Sequence, residues 1–178
     1  MQESIKLKSS RLKTIVPILL GIGFVGLAFS FWYDLGDNRG YSPEQPIPFS
    51  HKKHAGLYKM DCQYCHVGAD KSRHAMIPST NICLNCHSIV KGDSPYIQKM
   101  KELAAKGESF EWVKVHDLPD FVFFNHKRHI AKGIDCSKCH GAVEQMERVS
   151  QVEKLNMGFC IGCHRENKAP TSCDVCHH

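Results

Sequence analysis

The chain carries one long apolar run and little other sustained periodicity. Residues 14–33 hold no charged side chain. At ~1.5 Å per helical residue such a run crosses a ~30 Å hydrocarbon layer, which predicts a single transmembrane helix. Lys6, Lys8, Arg11 and Lys13 precede it against one acid, Glu3. That asymmetry predicts a cytoplasmic tail at residues 1–13 and everything beyond the helix on the outer side of the membrane. Trp32 and Tyr33 suit the outer interface, and the run ends Phe-Ser-Phe-Trp-Tyr rather than at a small-x-small cleavage site, so a retained anchor is expected. Residues 34–48, with Gly36, Gly40, Pro43, Pro46 and Pro48, read as an extended tether.

Beyond Phe49 only residues 95–106 have a helical signature, with Ser94 as N-cap, Pro95 at the first helical position and Gly107 after the end. Residues 110–115 and 121–124 read as short extended stretches, and the rest as loop. An internal repeat organises this part. Phe49-Ser-His51-Lys-Lys-His54 and Phe124-Asn-His126-Lys-Arg-His129 share the pattern F-x-H-x-x-H, and each precedes a D-C-x-x-C-H stretch by about the same offset. The repeat divides the region into a first module at 49–92, a connector at 93–117 and a second module at 118–178.

Composition then names the chemistry. The chain has 10 cysteines and 12 histidines in 178 residues, far outside ordinary usage. Every cysteine belongs to a C-x-x-C-H motif: Cys62/Cys65/His66, Cys83/Cys86/His87, Cys136/Cys139/His140, Cys160/Cys163/His164 and Cys173/Cys176/His177. A disulfide framework needs no histidine at a fixed offset, and a zinc ribbon needs no imidazole beside each cysteine pair. C-x-x-C-H is the attachment signature of c-type haem. Both thiols reach the vinyl groups of one porphyrin as thioethers, and the following histidine lies beneath the iron as proximal ligand. Five covalently attached haems c are therefore expected, two in the first module and three in the second.

Haem changes the meaning of charge and size. The polypeptide has a formal charge of +5, which would suit nucleic acid or anionic lipid. Five haems, each with two propionates, bring the protein to about zero when ferric and about −5 when ferrous. Lys52, Lys53, Lys127 and Arg128 are accordingly read as propionate or partner contacts or solvated charges, and no nucleic-acid partner is expected. About 26 residues per motif cannot build a sizeable side-chain core. The expected fold class is a single N-terminal transmembrane helix plus a loop-rich, mainly α/irregular domain with haems as its core, which excludes a cytosolic enzyme with a conventional interior.

The F-x-H-x-x-H then C-x-x-C-H arrangement resembles the class III multihaem cytochromes c. That resemblance implies that His51 and His54 are distal ligands of the haems at Cys62 and Cys83. It implies likewise that His126, His129 and Met157 serve the haems at Cys136, Cys160 and Cys173. His116 and His74 are reserves for the last position, and His178 is a further candidate. The stretches Tyr41-Ser-Pro-Glu-Gln-Pro-Ile-Pro-Phe-Ser-His51, Ser72-Arg-His74-Ala-Met-Ile-Pro78, Trp112-Val-Lys-Val-His116 through His126, and Leu155-Asn-Met157-Gly-Phe-Cys160 are similar to the pentahaem, membrane-anchored cytochrome subunit of bacterial alternative complex III. This second resemblance implies an electron-transfer subunit in the cytoplasmic membrane, with its haem domain in the periplasm. Its implied partners are an iron-sulfur protein, quinol-binding membrane subunits and a monohaem cytochrome c, and its electrons run from quinol to a cytochrome c or terminal oxidase. The alternative is a stand-alone, membrane-anchored quinol dehydrogenase feeding a periplasmic reductase. No catalytic residue is assigned, because all five motifs carry a proximal histidine and candidate sixth ligands outnumber the irons.

Overall fold

The structure, a computed structural model, describes the backbone of residues 2–34 and 37–177 and the side chains of 12–32 and 37–177. Two units are distinguished, Met1–Asp37 and Asn38–His178.

The first unit is helix α1, Gln2–Asp34, which extends the predicted span toward the N-terminus. Its segment Leu12–Trp32 has a mean hydropathy of 2.2 over 21 residues, none of them buried within the chain. That length rises about 30 Å, enough by length and composition to cross a bilayer. Pro17 lies inside the helix, where it removes one intrahelical N–H donor.

The second unit contains α2 (Cys62–Cys65), α3 (Thr80–His87), α4 (Pro95–Ala105), α5 (His126–Ile130), α6 (Ser137–His140) and α7 (Met157–Glu166). A π-type turn spans Lys52–Leu57, and tight 3₁₀ turns span Val143–Gln145 and Cys173–Val175. Helix α4 falls where Pro95 and Gly107 predict it, ending at Lys106 as C-cap, although Ser94 makes no side-chain cap bond. Gly107 follows with φ +72°, the left-handed conformation that ends helices.

Two expectations are corrected. Every C-x-x-C-H stretch predicted as loop contains helix or helical turn. The i, i+3, i+4 spacing of its three chemical side chains puts them on one face only if the backbone turns, but one turn is too short to register as periodicity. Residues 110–115 and 121–124 form no strand, because their donors go elsewhere than to a neighbouring strand. Val113 N–H donates to Gln45 Oε1 at 3.0 Å, and Phe123 N–H to the Cys176 carbonyl at 2.8 Å.

The expected tether is likewise held down from Asn38 onward. Gly40 N–H donates to the Gln151 carbonyl at 2.8 Å and Gln151 N–H to the Tyr41 carbonyl at 3.1 Å. Ser42 Oγ donates to the Val149 carbonyl at 3.0 Å. Gln151, 2% exposed, is the hub of this layer. Its Oε1 accepts from Asp117 N–H at 2.8 Å and from Asn38 Nδ2 at 3.2 Å, while its Nε2 donates to the Glu153 carbonyl at 3.0 Å. A buried amide with all these partners satisfied fixes three distant stretches in one geometry.

The apolar interior is small. Ile47, Ala69, Ile97 and Met100 are the buried hydrophobic residues among those described. Ile47, Ile97 and Met100 pack with Phe49, Cys83, Leu84, Phe110 and Trp112, seating α3 against α4. Close approach is managed elsewhere by glycine: a Cβ at Gly56 would overlap the Glu144 carbonyl, so the turn at Lys52–Leu57 lies directly on Val143–Gln145. Ile89 and Phe121 remain 89% and 84% exposed. Four buried apolar side chains cannot offset the ordering entropy of some 140 residues, which costs about 1–2 kcal/mol each. The chain expressed without haem attachment is therefore expected to show no cooperative thermal transition by circular dichroism, whereas the haem-loaded protein shows one.

Candidate haem centres

The histidines of the two repeats are positioned alike. Phe49 stacks on His54 at 4.4 Å between centroids and meets His51 edge-on at 4.8 Å. Phe124 stacks on His129 at 4.4 Å and meets His126 edge-on at 4.8 Å. The phenylalanine is thus a wedge that stacks on one imidazole and meets the other edge-on. His54 Nδ1 lies 2.8 Å from the Ser50 carbonyl, and His129 Nδ1 lies 2.8 Å from the Asn125 carbonyl. The same two residues open the turns: Ser50 Oγ accepts from Lys53 N–H at 3.1 Å, and Asn125 Oδ1 from Arg128 N–H at 3.3 Å. The aspartate before each D-C-x-x-C-H motif has a local reason too. Asp61 accepts from Gln63 N–H at 2.7 Å and Asp135 from Ser137 N–H at 2.8 Å, starting the turns that carry the cysteines.

The motif histidines share a further pattern that sequence reading missed. Nδ1 of His66, His87, His164 and His177 lies against the carbonyls of Met76 (2.7 Å), Val90 (2.9 Å), Pro170 (2.6 Å) and Phe121 (2.8 Å). A carbonyl can only accept, so each ring carries its proton on Nδ1 and offers the Nε2 lone pair to a metal. Met76 and Phe121 have φ of +67° and +65°, strained for residues with a Cβ and typical of functional sites. No sequence pattern marks these loop carbonyls.

Ring spacing tests whether the residues fit an iron. Two imidazoles on opposite sides of one metal, each nitrogen about 2.0 Å from it, place their centroids about 6.3 Å apart. His54 and His87 are 6.1 Å apart, His129 and His164 6.0 Å, and His126 and His140 6.5 Å with planes within 6° of parallel. His51 lies near His66. Burial first, then the His66 and His54 charges, lower its pKa to about 4. Its Nδ1 is buried without a hydrogen bond, whereas Nδ1 of its repeat counterpart His126 lies 2.9 Å from the Arg73 carbonyl. The three measured pairs fit an iron in spacing, and the rings held by carbonyls fit it in tautomer.

The remaining candidates are less gathered. Met157 is the first residue of α7, behind the cap that Asn156 provides to Phe159 N–H at 2.9 Å, and is 63% exposed. His74 is exposed. His178 lies outside the described residues. His116 is engaged with His140, its Nε2 3.1 Å from His140 Nδ1, so that nitrogen is not available to a second metal. Of the basic residues, Lys52 is exposed and 3.8 Å from Glu147, and Lys53, Lys127 and Arg128 are exposed.

The motifs also succeed one another in space, as the thiols' mutual influence shows. Burial raises the Cys65 pKa, and Cys83, Cys62 and Cys86 raise it further. Tyr64 and Asn85 link the same two motifs by a hydrogen bond of 3.1 Å. Cys136 is raised by burial and then by the adjoining Cys62 thiol. Cys139 is raised by burial, then by Cys163 and Cys160, and Cys160 by burial and then Cys176. Neighbouring motifs are thus those of Cys83 and Cys62, of Cys62 and Cys136, of Cys136 and Cys160, and of Cys160 and Cys173.

A domain without strands among the described residues, built from C-x-x-C-H turns, histidines with free Nε2 lone pairs and little apolar interior, defines a c-type cytochrome with several haems. A family described as cytochrome c7 and related cytochrome c matches residues 122–178. The chain is 33% identical over 160 residues, 87% of its length and 69% of the relative's, to the multiheme cytochrome c subunit of menaquinone reductase from Nitratidesulfovibrio vulgaris. It is 32% identical over 56 residues, 32% of its length and 79% of the relative's, to cytochrome c3 of Desulfuromonas acetoxidans. The chain belongs to the multihaem cytochromes c, and haem c is its cofactor.

The wedge role of Phe124 is testable. Phe124→Ala is expected to lower thermal stability of the haem-loaded protein by about 3 kcal/mol, and Phe124→Leu by less. Calorimetry of the three proteins measures it.

Proposed function

We propose that the chain is a membrane-anchored pentahaem electron relay in a quinone-linked respiratory complex, with its N-terminus in the cytoplasm and its haem domain in the periplasm. The observation that carries the relay is the unbroken succession of the five motifs from Cys83 to Cys173. Haem c, when bound at such motifs, supplies a one-electron couple whose potential is set by axial ligand and surroundings. The ten cysteines hold the cofactors covalently, and His66, His87, His140, His164 and His177 serve as proximal ligands. His51, His54, His126 and His129 serve as distal ligands to the haems at Cys62, Cys83, Cys136 and Cys160. Met157 is assigned to the haem at Cys173, where a thioether would raise the potential above that of the bis-histidine sites. The dihaem and trihaem modules meet at the Cys62 and Cys136 junction, and α1 anchors the chain.

The partners proposed are those of alternative complex III: an iron-sulfur protein, quinol-binding membrane subunits and a monohaem cytochrome c. In that setting electrons leave quinol and pass along this chain toward a cytochrome c or oxidase. The relative named as part of a menaquinone reductase supports the opposite direction, from a periplasmic donor to quinone, as a second reading. The same order of motifs serves both.

Ligation is checked by substitution. His54→Ala and His129→Ala should each convert one haem of five, counted by intact mass, to a high-spin signal in electron paramagnetic resonance. An unchanged low-spin spectrum would make that histidine a bystander. Direction and company are checked by purifying the chain from membranes in mild detergent. Co-purification of iron-sulfur and polytopic subunits is expected, with haem reduction by a short-chain quinol. Reoxidation of the reduced haems by added quinone, without reduction by quinol, would establish the menaquinone-reducing direction instead. A chain that purifies alone and is still reduced by quinol would be a stand-alone dehydrogenase.

A further inference from the structure

Four of the five motif histidines rest Nδ1 on a backbone carbonyl, and His140 does not. Its Nδ1 faces the Nε2 of His116 at 3.1 Å, with the two rings perpendicular within 8° (82° between planes) and centroids 4.4 Å apart. His126 lies parallel to His140 at 6.5 Å, the spacing of a pair sharing one iron. The backbone on both sides of His116 is pinned: Asn38 Nδ2 donates to the Val115 carbonyl at 2.8 Å, and Asp117 N–H donates to Gln151 Oε1 at 2.8 Å. The buried amide hub thus holds this imidazole against the third motif. Both rings are partly buried, which strengthens a hydrogen bond between them.

We propose that His116 is a positioning residue that lowers the potential of the Cys136 haem by accepting the His140 Nδ1–H. The proposal rests on the reading that Cys136, Cys139 and His140 hold a haem. With His140 Nε2 on iron, the remaining ring proton is on Nδ1, so His140 donates and His116 Nε2 accepts. An imidazole nitrogen is a stronger hydrogen-bond acceptor than an amide oxygen. It draws the proton further from His140, makes that ligand more basic and favours ferric over ferrous iron. The affected site is the middle one in the succession of motifs, at the junction of the two modules. A lower potential there makes it the uphill step between two better-reduced halves, so electrons collect on either side of it.

His116→Phe removes the acceptor and keeps the ring volume, and His116→Gln offers an amide oxygen in its place. In a redox titration of the haem-loaded protein, His116→Phe should raise one potential of five. A shift of about tenfold in the ferrous-to-ferric ratio corresponds to about 59 mV for one electron. His116→Gln should raise it less, and all haems should stay low-spin in both variants. Five unchanged potentials in a fully loaded His116→Phe protein would overturn the proposal, and so would a new high-spin haem, which would make His116 an axial ligand. Fewer than five haems in wild type by mass, with the Cys136 peptide unmodified, would instead remove the underlying haem reading. A measurement on wild type needs no variant: in the fully reduced, diamagnetic protein with nitrogen-15 histidine, nuclear magnetic resonance should show scalar coupling between His140 Nδ1 and His116 Nε2. Absence of that coupling, with both rings assigned, would overturn the assignment.

Discussion

An imidazole has two nitrogens, and it presents one to a metal in a fixed orientation most firmly when the other is held. Most of the second unit can be understood from that constraint. Loops curl so that the carbonyls of Met76, Val90, Pro170 and Phe121 reach the Nδ1 of motif histidines. Two of those carbonyls belong to residues in the left-handed region, a cost of about 1–3 kcal/mol each that the surroundings must offset. The F-x-H-x-x-H turns use the carbonyl four residues upstream for the same purpose. Ring orientation is therefore built largely by backbone, and the short helices are short because each has only to present one pair of cysteines or one set of histidines.

The scarcity of apolar burial follows from the same arrangement. Surface that an ordinary domain would cover with leucine and valine is here arranged around cysteine- and histidine-bearing turns, and the apolar cluster at Ile47, Ile97 and Met100 serves to brace α3. What replaces a core among the residues described is a polar frame. Gln151 joins the segment after Asn38, the connector at Asp117 and the stretch near Glu153. The second module's histidine turn adds its own link: Lys127 N–H and His126 N–H donate to the carbonyls of Ser72 and Arg73 at 3.1 and 3.2 Å. The two repeats are interlocked rather than strung together, which holds the spacing between motifs fixed.

Much of this protein was legible in its residues. Thioether chemistry demands two thiols at a set spacing and a histidine next to them, so C-x-x-C-H is visible without any structure. The duplicated F-x-H-x-x-H pattern marked residues whose rings lie about 6 Å from motif histidines in three of four cases. The apolar run at the N-terminus announced α1, because a helix of that composition has no polar face to hide. Proline before and glycine after marked α4, since both act on the backbone locally.

Only the tertiary structure decided the rest. The order of the motifs in space differs from their order in the chain, because Cys62 faces both Cys83 and Cys136, and no local rule encodes which turn meets which. The anchoring of Asn38, Gly40 and Tyr41 depends on Gln151, more than a hundred positions away. His116 looked like a spare ligand, since composition counts imidazoles without showing where they point. Its Nε2 is 3.1 Å from His140 because Asn38 and Gln151 grip the backbone on either side. Contacts of that kind join residues far apart in the chain through single hydrogen bonds, and they leave no periodicity or spacing for a reader of the sequence to find.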